Sequence, residues 1–293
     1  MTPALQTAAA HPGSVPAAKL SPPRAGRVQV LRAAIAARAA EALGARLVLV
    51  RAPAGFGKTT AMRQLRDQFD AAGLATAWLT LDAADNDMPR FLQSLGRALQ
   101  LPDLPAPVAD DPFGTLEALA REELPFALFL DDFELMHSEA VLGLMRQLAE
   151  QLPPRGRLVI GSRALPELGL GRLRARGQLL EIDSAALRFT ESEAAEFFRL
   201  RGAPLPRDTL VRLLDKTEGW IGALWLASLA LERHGPHSDF VERFSGSDRA
   251  VADYLAEDVL AQQSQEVRDF LLRTSILRTL DAQVCQALAP RSD

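Results

Sequence analysis

Residues 52–60 read Ala-Pro-Ala-Gly-Phe-Gly-Lys-Thr-Thr and follow an apolar run, Leu47-Val48-Leu49-Val50. A buried strand, a glycine-bearing turn and a helix start, in that order, form a nest of backbone N–H groups. The positive end of the helix backs that nest, and the whole holds an anion. Gly55 and Gly57 permit backbone angles and a close approach that a side chain blocks. Lys58 is placed to reach the outer phosphates of a nucleotide, and the Thr59 hydroxyl to ligate Mg²⁺. Ala54, Phe56 and Thr60 complete the nucleotide-contacting stretch 54–60. The first glycine of G-x-x-x-x-G-K-[ST] is here Ala52, small enough for a turn at negative φ. Alone, such a stretch also describes an ordinary strand-to-helix turn. Of 33 Lys and Arg residues only Lys19, Lys58 and Lys216 are lysines, so Lys58 is not part of a general excess.

Two further stretches carry chemistry. Phe126-Ala127-Leu128-Phe129-Leu130 runs into Asp131-Asp132. A strand ending in acids beside a phosphate loop suits a Mg²⁺-organising carboxylate, Asp131, and a second acid, Asp132, that orients or activates water. Downstream, the apolar run 157–161 ends in Ser162-Arg163. A guanidinium at that edge of an open sheet is placed to take a γ-phosphate bidentately.

Other features have simpler readings. Asp82, Asp85 and Asp87 surround a turn and suit N-capping better than ligand binding. Arg172, Arg174 and Arg176 form a solvated face or reach a neighbouring subunit's nucleotide. His234 and His237 lack a third metal ligand. Gly219-Trp220 and Trp225 read as packing in a helical region, with a base-stacking platform as the other possibility. No Asn-Lys-x-Asp guanine-reading motif is present, which favours adenine.

These residues need elements to position them. Residues 1–22 read as a proline-bearing flexible lead-in, and 28–43 as one helix with Val30, Leu31, Ile35 and Ala39 on a face. Strands are expected near 46–50, 75–81, 126–130, 157–161 and 179–182, alternating with helices. That alternation means an α/β domain with a mostly parallel sheet covered on both faces. A proline-rich linker falls at 101–112. From Thr190-Glu191-Ser192-Glu193, a capping box, the pattern is helical only, with helices near 207–217, 220–234, 251–260 and 265–272. The expected division is a lead at 1–22, a nucleotide-binding domain at 23–186, a helical domain at 187–245 and a partial further domain at 246–293.

The chain has 293 residues, 48% hydrophobic and 24% charged, with a net charge of −4. That size accommodates more than one domain, and the charge argues against a dominant nucleic-acid surface. Cys285 is the single cysteine, which excludes an internal disulfide. With no signal-peptide pattern and no 18-residue apolar run, the expected setting is cytoplasmic, with no membrane partner.

Taken in order, Ala52–Thr60, Trp78-Leu79-Thr80-Leu81-Asp82 with Asp85-Asn86-Asp87, Phe129-Leu130-Asp131-Asp132 and Ile160-Gly161-Ser162-Arg163 resemble the STAND signal-transduction ATPases. Together with Leu173–Ile182, Leu187-Arg188-Phe189-Thr190, Gly219-Trp220 and Asp253-Tyr254-Leu255, they resemble the MalT-type regulators of the LuxR class in particular. The resemblance implies a P-loop NTPase three-layer sandwich with strand order 5-1-4-3-2. A small helical domain and the start of a winged-helix domain would follow. It implies ATP/ADP and Mg²⁺ as cofactors, with Thr59 and Asp131 on the metal and Asp131, Asp132 and Arg163 as the catalytic set. Gly219-Trp220-Ile221 lacks the proline of the family's adenine-contacting Gly-x-Pro. The expected activity is slow ATP hydrolysis that controls self-association, biased by an inducer. DNA would be reached only through a domain outside this chain. A metabolic P-loop enzyme such as a kinase, and an ADP-holding module that does not hydrolyse, are the alternatives.

Overall fold

The computed structural model describes residues 15–24, 26, 28–102, 104, 111–234, 260, 264–277 and 282–288. The expected helix 251–260 (all but residue 260), His237, most of the proline-rich linker and residues 1–14 of the lead-in lie outside them. The chain divides between Gly222 and Ala223 into two compact units.

In the first unit β1 (Leu47–Arg51), β2 (Ala75–Thr80), β3 (Phe126–Asp131), β4 (Gly156–Ser162) and β5 (Leu179–Ile182) form one sheet. Its order is β2-β3-β4-β1-β5, all pairs parallel, as the resemblance implied. The strands read as continuous apolar runs because both faces are covered. Leu47, Leu49, Leu128, Leu130, Leu158 and Ile160 point into one core, against α4 (Met88–Gln100), α5 (Pro112–Ala120) and α6 (Glu139–Gln151). Their neighbours Val48, Val50, Ala127, Phe129 and Val159 point the other way, onto Met62, Leu65 and Phe69 of α3 (Lys58–Ala71). Trp78 belongs to that second core, stacked on Phe129 at 5.7 Å with its indole N–H on Thr80 Oγ1.

The helix expected at 28–43 is instead an extended segment followed by two short helices, α1 (Ala33–Ala37) and α2 (Ala39–Gly44). The cause is Gln64 of α3. Its Oε1 accepts from Arg32 N at 3.0 Å and its Nε2 donates to Val30 O at 2.9 Å. A side-chain amide thus takes the backbone groups a helix would have used. Ile35 is buried, whereas Leu31, expected on the same face, is 84% exposed.

The chain continues through α7 (Leu170–Ala175) and α8 (Ser184–Leu187) to α9 (Glu191–Leu200) and α10 (Arg207–Thr217). The capping box forms at Thr190 and Glu193. Glu193 also pairs with the buried Arg32, 3.1 Å away, whose guanidinium lies over the Phe189 ring. The second unit is described through most of α11 (Ile221–His234), α12 (Gln265–Thr274) and α13 (Ala282–Leu288).

Lys19 corrects the reading of residues 15–22 as a loose lead. It is buried, and its ammonium contacts Asp85, itself fully buried, and Asp82 at 3.0 Å. Asp85 also accepts from Ser94 Oγ and Asp82 N, closing a capping box over the turn 83–86. The acidic loop after β2 is therefore structural, as the N-capping reading held. Replacing one partner of a buried pair leaves an uncompensated charge, at a cost of about 3–5 kcal/mol. Lys19→Met is accordingly expected to lower the urea-unfolding free energy by about that amount, measured at neutral pH.

Candidate functional site

The turn after β1 adopts the geometry its glycines allow. Gly55 and Gly57 have φ of 75° and 77°, and Gly57 is the left-handed residue that opens α3. Ala52 is not among the positive-φ residues, which explains how an alanine stands where the motif has glycine. It is buried, with its N–H on Ser162 O of β4. Lys58 is the first residue of α3 and is buried; its ammonium rests 3.3 Å from Pro53 O.

Strand order brings the acids to this loop. Asp131 ends β3, 1% exposed, and its Oδ2 accepts the Thr59 hydroxyl at 2.6 Å. The proposed metal-holding pair is thus in direct contact across the carboxyl edge of the sheet. Room for the carboxylate comes from Gly161 on β4. A Cβ there would lie 2.6 Å from Asp131 Oδ1 and would also strike Met62. Gly161 stands next to the strand end in sequence and gave no signal of this role.

Asp132 follows with φ of 57° and ψ of 38°. Aspartate tolerates that left-handed conformation better than most residues, though it still costs on the order of 1–3 kcal/mol. Its N–H donates to Asp131 Oδ1 at 3.1 Å. The short turn Phe133–Leu135 that comes next is anchored by buried Phe133. Asn86 anchors it as well, donating to Leu135 O and accepting from His137 N and Ser138 N.

Arg163, expected to face a γ-phosphate, follows β4 and is paired with Glu134. Its Nε lies 2.9 Å from Glu134 Oε1, a charge contact rather than an aligned hydrogen bond, and its backbone N–H donates to Oε2 at 3.0 Å. Glu134 was not singled out by the sequence, although it lies only two positions beyond Asp132.

The charges act on one another. Burial pushes the Asp131 carboxyl up to about 6, against the Thr59 hydrogen bond, with the Asp132 charge adding to the rise. Burial also raises Asp132, helped by Glu134 and opposed by Lys58 and Arg163. Burial lowers the Lys58 ammonium, opposed first by Glu134. One ammonium, one guanidinium and three carboxylates thus act on one another at this edge of the sheet, from the buried Asp131 and Lys58 to the partly exposed Arg163. A polyphosphate with a divalent cation suits it, the anion meeting Lys58 and Arg163 and the cation meeting Asp131. Among the described residues no three His, Cys, Asp or Glu side chains are grouped to hold a metal alone.

The sequence favours packing in the helical region for Trp220. That side chain lies instead on the phosphate loop, with its indole N–H 3.2 Å from Ala54 O and its ring 6.4 Å from that of Phe56. Gly222 N donates to Gly55 O at 2.9 Å, and Ile221 Cδ1 stands 3.0 Å from where a Gly57 Cβ would be. Arg172 and Arg174 are exposed and paired within the chain, with Glu150 and Glu181. That favours the solvated-face reading. Among the described residues no helix is long and apolar enough to cross a membrane.

Residues 256–293 match the family described as the MalT winged helix domain. The HTH-type transcriptional regulator MalT of Klebsiella pneumoniae subsp. pneumoniae is 34% identical over 280 residues, covering 90% of this chain. That of Yersinia pestis is 35% identical over 282 residues, again covering 90% of the chain. The chain is homologous to the N-terminal region of the MalT regulators. It spans 31% of the length of these MalT relatives. A Walker-type ATPase of Pyrococcus abyssi aligns with a TM-score of 0.56 at 13% identity, over 84% of this chain and 80% of that one. At that identity the likeness shows the fold. It is the P-loop α/β fold already described, here in a MalT-like chain.

The raised Asp131 carboxyl has a sign that can be checked. Its folded value of about 6 exceeds the ordinary 3.8, so folding takes up a proton between those pH values. Its contribution to stability is full below about pH 4 and is lost as pH rises through about 6, of the order of 3 kcal/mol. In urea titrations without divalent cation, the stability of Asp131→Asn relative to the parent is expected to rise by that order from pH 4 to 7.5.

Proposed function

We propose that this chain is the ATP/ADP-binding switch of a MalT-like, signal-responsive transcriptional regulator, with slow ATP hydrolysis controlling self-association. The observation that carries it is the 2.6 Å contact of Thr59 with Asp131 at the mouth of the phosphate loop. It joins the hydroxyl and the carboxylate that together would hold Mg²⁺. When bound, the magnesium supplies charge neutralisation at the outer phosphates. The chain's own residues supply the rest. The loop amides of 54–60 and the Lys58 ammonium bind and orient the polyphosphate. Asp132 accepts a proton from, or orients, the attacking water, and Arg163 meets the terminal phosphate.

Homology to MalT supports the regulatory reading, and the Walker-type fold supports nucleotide as the ligand. Adenine is preferred because no guanine-reading motif is present. An inducer acting elsewhere would bias exchange of ADP for ATP, and DNA would be reached through a different part of the regulator. Reversing such an equilibrium fully takes about 5.5 kcal/mol of differential binding, and phosphate hydrogen bonds of about 1.5–3 kcal/mol each are the right size. The contacts of Trp220 and Gly222 on Ala54 and Gly55 suit a switch, because they tie the loop to the chain just ahead of the second unit. Turnover of about 10⁻⁴–10⁻² s⁻¹ is the scale of intrinsic switch-type hydrolysis.

Two substitutions separate the roles. Lys58→Ala is expected to weaken nucleotide binding by about 10- to 150-fold, the value of one charge-assisted contact. Asp132→Ala is expected to keep binding and to slow single-turnover ATP hydrolysis by about 100-fold or more. Fluorescent-nucleotide titration and single-turnover assays read the two quantities. Equal loss of binding in both variants would overturn this division of labour. Unchanged hydrolysis in Asp132→Ala would remove that residue from the chemistry.

A further inference from the structure

Glu134 is held more firmly than a surface acid. Its turn is bracketed by buried Phe133 on one side and by the Asn86 hydrogen bonds to Leu135, His137 and Ser138 on the other. Its side chain is 14% exposed, and both oxygens are engaged by one residue: Oε2 by Arg163 N at 3.0 Å and Oε1 by the Arg163 guanidinium at 2.9 Å. The same carboxylate acts electrostatically on Lys58 and Asp132. The carboxylate 2.9 Å from Nε already offsets part of the guanidinium charge, so a phosphate arriving there must compete with it for the same ionic attraction. ADP and ATP differ by the one phosphoryl group that would make this demand.

We infer that Glu134 sets the preference of the site between di- and triphosphate, by gripping Arg163 so that a third phosphoryl group has to compete for the guanidinium. It is a specificity residue acting through Arg163, and the inference rests on the nucleotide-site reading above. With Glu134 in place the triphosphate gains only part of what Arg163 offers, so the site leans towards ADP. Without that carboxylate the triphosphate gains more from the guanidinium, while ADP is little affected.

The test is the ratio of dissociation constants for ADP and for a non-hydrolysable ATP analogue, each with Mg²⁺, measured by calorimetry on the purified chain. Glu134→Gln suits it, because the amide oxygen still accepts from Arg163 N while the amide nitrogen cannot pair with the guanidinium. The ratio is expected to shift about tenfold towards the triphosphate, within the usual range of coupling between sites. In an Arg163→Ala background the same substitution is expected to change the ratio by less than about twofold. Thermal denaturation of each variant confirms that it is folded. An equal change in both affinities, or a gain that persists without Arg163, would overturn the inference, the latter pointing to simple repulsion between carboxylate and phosphate. If the parent chain bound neither nucleotide, the nucleotide-site reading itself would fall.

Discussion

The contact between Thr59 and Asp131 is the constraint on which the rest of the site depends. It spans the first turn of one helix and the end of a strand two places away in the sheet, with β4 between them. Three conditions make it possible. The loop must turn left-handed at Gly57 so that α3 starts beside the sheet edge. β4 must present a residue with no side chain, Gly161, where the carboxylate lies. The strands must be dry on both faces, so that the carboxylate has few partners other than the hydroxyl and its neighbour's amide. Burial then raises its proton affinity, and a cation there would return it to the charged form.

Much of this arrangement was legible in the sequence for a local reason. The strands are apolar runs because both faces are covered. The loop declares itself through Gly55, Gly57, Lys58 and Thr59, and the acids at 131 and 132 stand at a strand end. Thr190 and Glu193 are three residues apart and cap as such pairs do. What the sequence concealed depends on partners far along the chain. Gln64 captures the backbone of residues 30 and 32 from α3, so a segment with helical periodicity is extended. Lys19 finds Asp85 across 66 positions, which no local pattern reveals in a proline-rich lead. Glu134 gains meaning only through Arg163, 29 positions later, and Trp220 reaches Ala54 across 166.

Side chains that bond backbone groups far along the chain fix its direction. Arg32 joins the extended segment to the carbonyls of Ala186 and Arg188 and to Glu193. Asn86 ties the turn after β2 to the turn after β3. Each closes several backbone groups with a single side chain, in regions where neither helix nor sheet could satisfy them. The outcome is a sheet edge whose turns are held from behind, leaving their acidic and basic side chains directed at one another.

The hydrogen bonds from Trp220 and Gly222 have a geometric corollary. A trans amide carries its C=O and N–H on opposite sides, and no cis bond occurs among the described residues. Drawing the oxygens of Ala54 and Gly55 onto their donors in residues 220–222 therefore turns the amide hydrogens of Gly55 and Phe56 away from those donors. Those hydrogens belong to the stretch proposed to cradle an anion. Residues 220–222 thus set the orientation of individual dipoles in the cradle, and a tug on them would reach an incoming phosphate as a misaimed donor, with no shift of the sheet required.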